Sequence, residues 1–460
     1  MMPENERLIV IGGGPAGMSA ASAARRRQPE REIVVFERGE FVSSILCILP
    51  FFISNLVPSV SSLVVYTPEY FQRERRIQVL TGHEVLRIDP LRRTVNVLDR
   101  RTGQRSDWSY STLILATGAT ANRPTVPSSH LTGVFSLHSI EDAVAIKAHL
   151  EHEHPRRAIV IGAGYLGLEM AEAFRSLGLQ VVLCEVEKSI LPGWESHISS
   201  AVEEELERNG VEVRKGERLL DIGGDSKGRA RRVLTTAGEY EAEVVLLAAG
   251  VTPASELLAE AGGALGVRGA VHVNDEMLTS LPGVLAAGDV AEAWHRVARA
   301  PAYVPLGTTA NRQGRIAGGN AAGAGERFAG VLGTSAVKVF GLEVARTGLG
   351  SREATEAGYW ALSDLQPAST TLSHPSRTGI YPGSTPITVV LIAEAQSRRL
   401  LGAQMVGREA VAKRLDTVAT ALYAGLTLDD LAQLDLTYVP PLAPSVEAVA
   451  MAAQRLLREL

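Results

Sequence analysis

Cys47 lies between a glycine-rich turn and a run of apolar residues, and the chain has only one other cysteine, Cys184. A lone thiol has two readings. As a small buried apolar residue it does no chemistry. As a thiolate it is a nucleophile that takes up a sulfur or oxygen atom and is then reduced again. The surroundings favour the second reading. Cys47 stands ten residues beyond Glu37, at the expected start of a helix near 47–57, where the positive end of the helix dipole would stabilise a thiolate. Cys184 falls inside Val181-Val182-Leu183-Cys184 and reads as a buried strand residue. No second cysteine makes a CxxxxC pair, so a redox cycle would run through a mixed disulfide, a persulfide or a sulfenic acid.

Groups able to reduce that sulfur are implied by two glycine fingerprints. Gly12-Gly13-Gly14-Pro15-Ala16-Gly17 follows Leu8-Ile9-Val10-Ile11, and Gly162-Ala163-Gly164-Tyr165-Leu166-Gly167 follows Ala158-Ile159-Val160-Ile161. Each reads as strand, tight turn and helix. The first glycine (Gly12, Gly162) makes the turn, and the second (Gly14, Gly164) lets a pyrophosphate touch the backbone. The third (Gly17, Gly167) lets helix pack on strand. Glu37 and Glu185 end the next strands, placed to accept hydrogen bonds from ribose hydroxyls and to repel a 2′-phosphate. Val186-Glu187 follow Glu185 where a 2′-phosphate site would have arginine, which favours NADH and makes NADPH the lesser expectation. One such fingerprint is weak; two, each with its acid, imply a flavin–nicotinamide electron path.

The elements that hold these groups follow from the apolar runs. Residues 1–120 form the first part of an FAD-binding domain, with a central helix and strands around 78–80 and 94–98. That part closes on Leu113-Ile114-Leu115-Ala116-Thr117-Gly118, a strand and small-residue turn where backbone approaches a cofactor. Residues 121–253 form the NAD-binding domain, ending near Gly250. Residues 254–330 return to the FAD domain, because Val284-Leu285-Ala286-Ala287-Gly288-Asp289 ends a buried strand in an aspartate suited to a ribityl hydroxyl. Residues 331–460 form a C-terminal α+β dimerisation domain, with strands within 335–349 and 386–406 and helices at 408–424 and 445–459. The fold class is therefore α/β, two Rossmann-like dinucleotide-binding domains plus that third domain, and the repeated fingerprint marks a domain duplication.

Composition narrows the function. The chain has 460 residues, enough for about three domains at ~150 residues each. With 46 Lys and Arg against 51 Asp and Glu, its net charge of −5 gives no reason to bind nucleic acid or an anionic membrane. Two cysteines exclude a disulfide framework and suit a reducing cytoplasm. Met1–Glu6 lacks a basic leader segment, so no signal peptide is expected. Phe41–Pro68 carries no charge, but Pro50, Asn55, Pro58 and six serines interrupt it; a buried active-site helix and loop is expected there rather than a membrane segment. No metal site is expected.

Cys47-Ile48-Leu49-Pro50-Phe51-Phe52-Ile53 resembles the Cys-Gly-Leu-Pro-Tyr-Tyr-Ile signature of single-cysteine flavin disulfide reductases. That group comprises coenzyme A-disulfide reductases, NADH-dependent persulfide reductases and related NADH oxidases. Tyr303-Val304-Pro305-Leu306-Gly307-Thr308-Thr309-Ala310-Asn311 is similar to its flavin-contacting segment, Ile380-Tyr381-Pro382-Gly383 to its YYPG turn, and Leu436-Thr437-Tyr438-Val439-Pro440-Pro441 to its LAYAPP segment. The likeness spans nearly the whole chain.

The resemblance implies a homodimer with one non-covalent FAD per subunit, reduced by NADH on one face and reducing a sulfur species on Cys47 from the other. It implies that Pro15, Ala16, Arg38, Val85, Thr117, Gly118, Gly288, Asp289 and Thr308 join the first loop and Glu37 at the flavin. Tyr165, as a gate, and Gly250 join Glu185 at the nicotinamide nucleotide. Tyr381 and Tyr438, the latter expected from the partner subunit, would protonate or orient the leaving thiol. Ser19, Arg26, Ser43, Arg75 and Asn311 fall at substrate-contacting positions, with Arg26 and Arg75 suited to the phosphates of coenzyme A. Ala23, Leu46, Asn311 and Val446 stand at positions where coenzyme A-reducing members have their polar contacts, and Ile48 puts β-branched bulk next to the cysteine. Those departures favour a smaller or more apolar sulfur substrate beside coenzyme A disulfide or persulfide. Two other activities stay open. One is an NADH oxidase or peroxidase cycling Cys47 through sulfenic acid, weakened by Pro15 where such relatives carry histidine. The other is an electron-transfer reductase for an iron–sulfur partner, which would not need Cys47.

Overall fold

A computed structural model of the chain describes residues 7–126, 128–359 and 368–460. Met1–Glu6, where the expectation about a signal peptide falls, lies outside the described residues.

Five parallel strands make the first sheet, in the order Val284–Ala286, Thr112–Leu115, Leu8–Ile11, Ile33–Glu37 and Gln78–Thr81. Its central strands are continuous apolar runs because both faces are covered. Leu8 and Val10 face the helices Pro15–Arg27 and Gly307–Ala321, while Ile9 and Ile11 face Val85, Ile88, Val95 and Val97 of a three-stranded antiparallel sheet. The two helices touch backbone to backbone. A Cβ on Gly314 would lie 2.2 Å from the Ala16 carbonyl oxygen, and one on Gly318 would lie 2.0 Å from that of Ala20.

The second parallel sheet runs Val211–Lys215, Gln180–Glu185, Arg157–Ile161, Val244–Leu247, Val134–Phe135. Only after it is complete does the chain return to add Val284–Ala286 to the first sheet. The third sheet is antiparallel, Ser335–Val339, Leu342–Gly348, Leu400–Gly407, Pro386–Ala393, Ala368–Pro375, packed by the helices Val411–Ala424 and Ala448–Glu459. The apolar stretches at 335–349 and 386–406 each split into two strands, because Phe340 and Arg398 take left-handed conformations, φ 48° and 57°, at tight turns.

The segment after the first acid departs from expectation. Instead of one helix over 47–57, a 3-10 turn at Leu46–Ile48 leads into a helix of five residues, Leu49–Ile53. Pro50 is compatible with its first turn. Asn55 then adopts φ 67° and Pro58 follows, so the helix cannot continue. Leu49, Phe52, Ile53 and Leu63 bury their side chains, which anchors this uncharged segment in the protein interior. Among the described residues no helix is long and apolar enough to cross a membrane.

Candidate active site

The carboxyl ends of both parallel sheets open on one cavity of about 2690 Å³. Its walls follow from the glycine loops. Gly12 has φ 108°, and a Cβ there would lie 2.1 Å from the Ala116 carbonyl oxygen; a Cβ on Gly17 would lie 1.9 Å from that of Gly12. The second loop repeats this, with Gly162 at φ 108° and 2.3 Å from the Ala248 oxygen, and Gly167 1.9 Å from that of Gly162. Gly14 and Gly164 instead have nothing within 4 Å and line the cavity. Each caps its helix without a side-chain bond, leaving backbone N–H groups for an anion. Gly17 and Gly167 pack behind the loops and do not line it.

The two acids do more than the sequence suggested. Glu37 accepts the Gly13 and Gly39 N–H groups, each at 2.7 Å, and Glu185 accepts those of Ala163 and Glu187 at 2.7 and 2.9 Å. Each carboxylate therefore ties down its own glycine loop while lining the cavity, with lone pairs left for a ribose. Pro15, Ala16, Arg38, Val85, Thr117, Gly118, Gly250, Gly288 and Thr308 line the same cavity. So does Asp289, whose carboxyl is pushed up to about 6 by burial and makes no hydrogen bond among the described residues. An unpartnered carboxyl there fits a polyhydroxyl chain such as a flavin's ribityl group.

Cys47 is exposed on the cavity wall within the 3-10 turn. The helix end expected to favour its thiolate is weak, since the helix begins two residues later and is short. Nor does Ile48 crowd the thiol. Its side chain is absent from the cavity lining and packs against the apolar core, so the β-branched bulk turns away from the sulfur's open side. Cys184 is 1% exposed in its strand, and burial pushes its thiol up to about 12, which leaves it inert.

Ser19, Arg26, Ser43, Arg75 and Asn311 all line the cavity. Ser19 Oγ donates to Asn311 Oδ1 at 2.7 Å, joining two helices. Arg75 donates to Ser22 Oγ at 2.5 Å, and its guanidinium lies 5.2, 5.4 and 5.2 Å from the ring centres of Tyr66, Tyr70 and Phe71. Arg26 is exposed. Ala23 and Val446 are not part of this chain's own cavity lining; Leu46 does line it.

Two residues escaped the sequence reading. Arg315, exposed and one turn beyond Asn311, adds a further guanidinium to the lining of the cavity that also holds Arg26 and Arg75. Glu169, one turn beyond Tyr165, lines the cavity with a carboxyl pushed up to about 7 by burial and by Glu172. The i, i+4 spacing from residues already singled out was the available signal.

Tyr381 and Tyr438 do not line the cavity. They are 38% and 51% exposed, on neighbouring turns joined by a 3.2 Å hydrogen bond from Thr378 N–H to the Pro440 carbonyl. One chain thus brings these turns to each other and leaves both tyrosines off the wall that carries Cys47.

The profile of the pyridine nucleotide-disulphide oxidoreductase family matches residues 6–314, and that of its dimerisation domain matches residues 334–450. The NAD(P)H coenzyme A polysulfide/persulfide reductase of Pyrococcus horikoshii is 37% identical over 446 residues, 96% of this chain and 97% of that protein. The coenzyme A disulfide reductase of Staphylococcus epidermidis is 31% identical, covering 95% of this chain and 96% of its own. The solved structure of an NAD-dependent persulfide reductase from A. fulgidus superposes with a TM-score of 0.93 at 36% identity, over 98% of this chain and 83% of that one.

Proposed function

The chain belongs to the pyridine nucleotide-disulphide oxidoreductase family, and on that premise we propose that it is an FAD-dependent reductase using NADH to cleave a disulfide or persulfide of coenzyme A through Cys47. The observation that carries this reading is a single cavity shared by both glycine loops and the exposed Cys47 thiol. When bound, the flavin takes two electrons from NADH and delivers them to sulfur.

The first loop, with Glu37, Arg38, Val85, Thr117, Gly118, Gly288, Asp289 and Thr308, holds FAD without a covalent link. The second loop, with Tyr165, Glu185 and Gly250, holds NADH. Cys47 as thiolate attacks one sulfur of R–S–S–R′, forming Cys47–S–S–R and releasing R′–S⁻, which takes a proton. Two electrons then cleave the mixed disulfide, returning the Cys47 thiolate and a second thiol. With a persulfide, R–S–SH, the products are one thiol and hydrogen sulfide. Arg26, Arg75 and Arg315 supply cations for the phosphates that distinguish coenzyme A from a simple thiol. This weighs against the smaller, more apolar substrate that Ala23, Leu46, Asn311, Val446 and Ile48 suggested, although Leu46 does line the cavity.

The 331–460 region pairs two chains into a homodimer, and both Tyr381 and Tyr438 reach the active site from the partner subunit. That neither lines its own chain's cavity, and that both lie beside exposed Ile380 and Leu442, supports this arrangement. With both cysteines free, the enzyme suits the cytoplasm. The test is steady-state NADH oxidation with coenzyme A disulfide, coenzyme A persulfide, peroxide and oxygen side by side. The reading requires a sulfur substrate to give the largest kcat/KM, and faster turnover with oxygen or peroxide would replace it with the oxidase reading.

A further inference from the structure

The Tyr165 and Ser335 hydroxyls lie 2.7 Å apart, although the residues are 170 positions apart in the chain. Tyr165 is the first residue of the helix that opens after Gly164, and Ser335 is the first residue of a strand in the antiparallel sheet. Both line the cavity, so their bond straps one part of its wall to another. The strap is braced from behind. The Trp194 ring meets Tyr165 edge-on at 6.2 Å, and the Arg346 guanidinium lies 5.7 Å from the centre of the Trp194 ring and pairs with Glu353. Neither hydroxyl has another partner among the described residues.

A dinucleotide whose pyrophosphate sits on the Gly162–Gly164 backbone must pass the side chain that follows it. Resting on the reading of that loop as the NADH site, we propose that Ser335 is a positioning residue that latches Tyr165 across the nicotinamide entrance. The bond has to break before the nicotinamide reaches the flavin end of the cavity. A neutral hydrogen bond of ordinary net strength corresponds to a roughly fivefold change in a binding constant.

The test uses the holoprotein and the variants Ser335→Ala, Ser335→Thr, Tyr165→Phe and the Ser335→Ala/Tyr165→Phe pair. Calorimetry measures NAD⁺ binding to the oxidised protein, and anaerobic stopped-flow mixing measures flavin reduction against NADH concentration. Ser335→Ala and Tyr165→Phe should each tighten NAD⁺ binding roughly fivefold, and the pair should tighten it no further, because both changes remove one bond. Ser335→Thr, which keeps a hydroxyl, should bind like the parent, and the limiting rate of flavin reduction should stay within about twofold in both Ser335 variants. Unchanged or weakened NAD⁺ binding in the single variants, or additive effects in the pair, would overturn the latch. Should Ser335→Ala not fold, Tyr165→Phe removes the same bond from its other end and decides the matter alone. Failure of the parent protein to bind NAD⁺ at all would instead overturn the nicotinamide site on which the latch rests.

Discussion

Glu185 Oε2 accepts the Ala163 N–H at 2.7 Å, so the acid that ends the strand Gln180–Glu185 is fastened to the glycine loop it faces. The carboxylate cannot swing aside, and it is buried where water screens it poorly. A 2′-phosphate brought to this corner would meet a fixed negative charge. We expect kcat/KM for NADH to exceed that for NADPH by at least about tenfold, the equivalent of ~1.4 kcal/mol. Glu185→Gln keeps an acceptor for one loop amide and should narrow the gap. Equal kcat/KM for the two nucleotides in the parent enzyme would defeat this assignment.

Cys47→Ser should separate the two half-reactions. On the proposed arrangement, with NADH held by the second loop, flavin reduction needs no thiol, so the variant should still bleach its flavin in an anaerobic stopped-flow mixer. Disulfide or persulfide reduction should fall by more than about 1000-fold, because a serine hydroxyl at neutral pH is no substitute for a thiolate nucleophile. Cys184, buried in its strand, offers no replacement. Near-full turnover of any sulfur substrate by Cys47→Ser would make an electron-transfer reductase the better description.

Arg26, Arg75 and Arg315 share the cavity with Cys47. If they hold phosphates, Arg26→Ala and Arg315→Ala should each raise KM for coenzyme A disulfide by roughly tenfold, the loss of one charge-assisted hydrogen bond, and leave KM for NADH alone. Arg75→Ala should cost more, and some stability too, since it also removes the contacts with Ser22 and three aromatic rings. Added salt should weaken coenzyme A disulfide binding more than that of an uncharged disulfide. Equal effects on both disulfides in Arg26→Ala would show that no phosphate is recognised there.

Glu169 predicts a pH dependence. Its folded-state value of about 7 stands above the ordinary 4.5, so the folded protein holds this proton more tightly than the unfolded chain. The group's stabilising contribution is full below 4.5 and is lost as pH rises through about 7. Glu169→Gln cannot ionise and should escape that loss. Its Tm relative to the parent should rise between about pH 5 and pH 8 and then level off. Thermal melts of both proteins across this range, without nucleotide, make the comparison; a pH-independent Tm difference would mean the carboxyl is not held protonated.

Local backbone chemistry made the two nucleotide-binding frames legible in the sequence. Gly12 and Gly162 sit at φ 108° with a carbonyl oxygen where a Cβ would be, and the residues that impose this lie within one strand, turn and helix. The acids at 37 and 185 are set by the same short units, so type and spacing suffice to find them. The helix after Cys47 is shorter than its apolar run implies because its end depends on Asn55 and Pro58 and on which side chains the interior accepts. Ile48 is oriented by that interior rather than by its neighbour Cys47. Arg315 and Glu169 acquire meaning only when the strands and helices of distant segments close one cavity around them, and Ser335 only when a third sheet reaches Tyr165 across 170 residues. Sequence spacing determines which groups a turn or helix presents; the environment each group meets, its burial and its partner are decided by contacts between segments far apart in the chain, and those exist only in the folded protein.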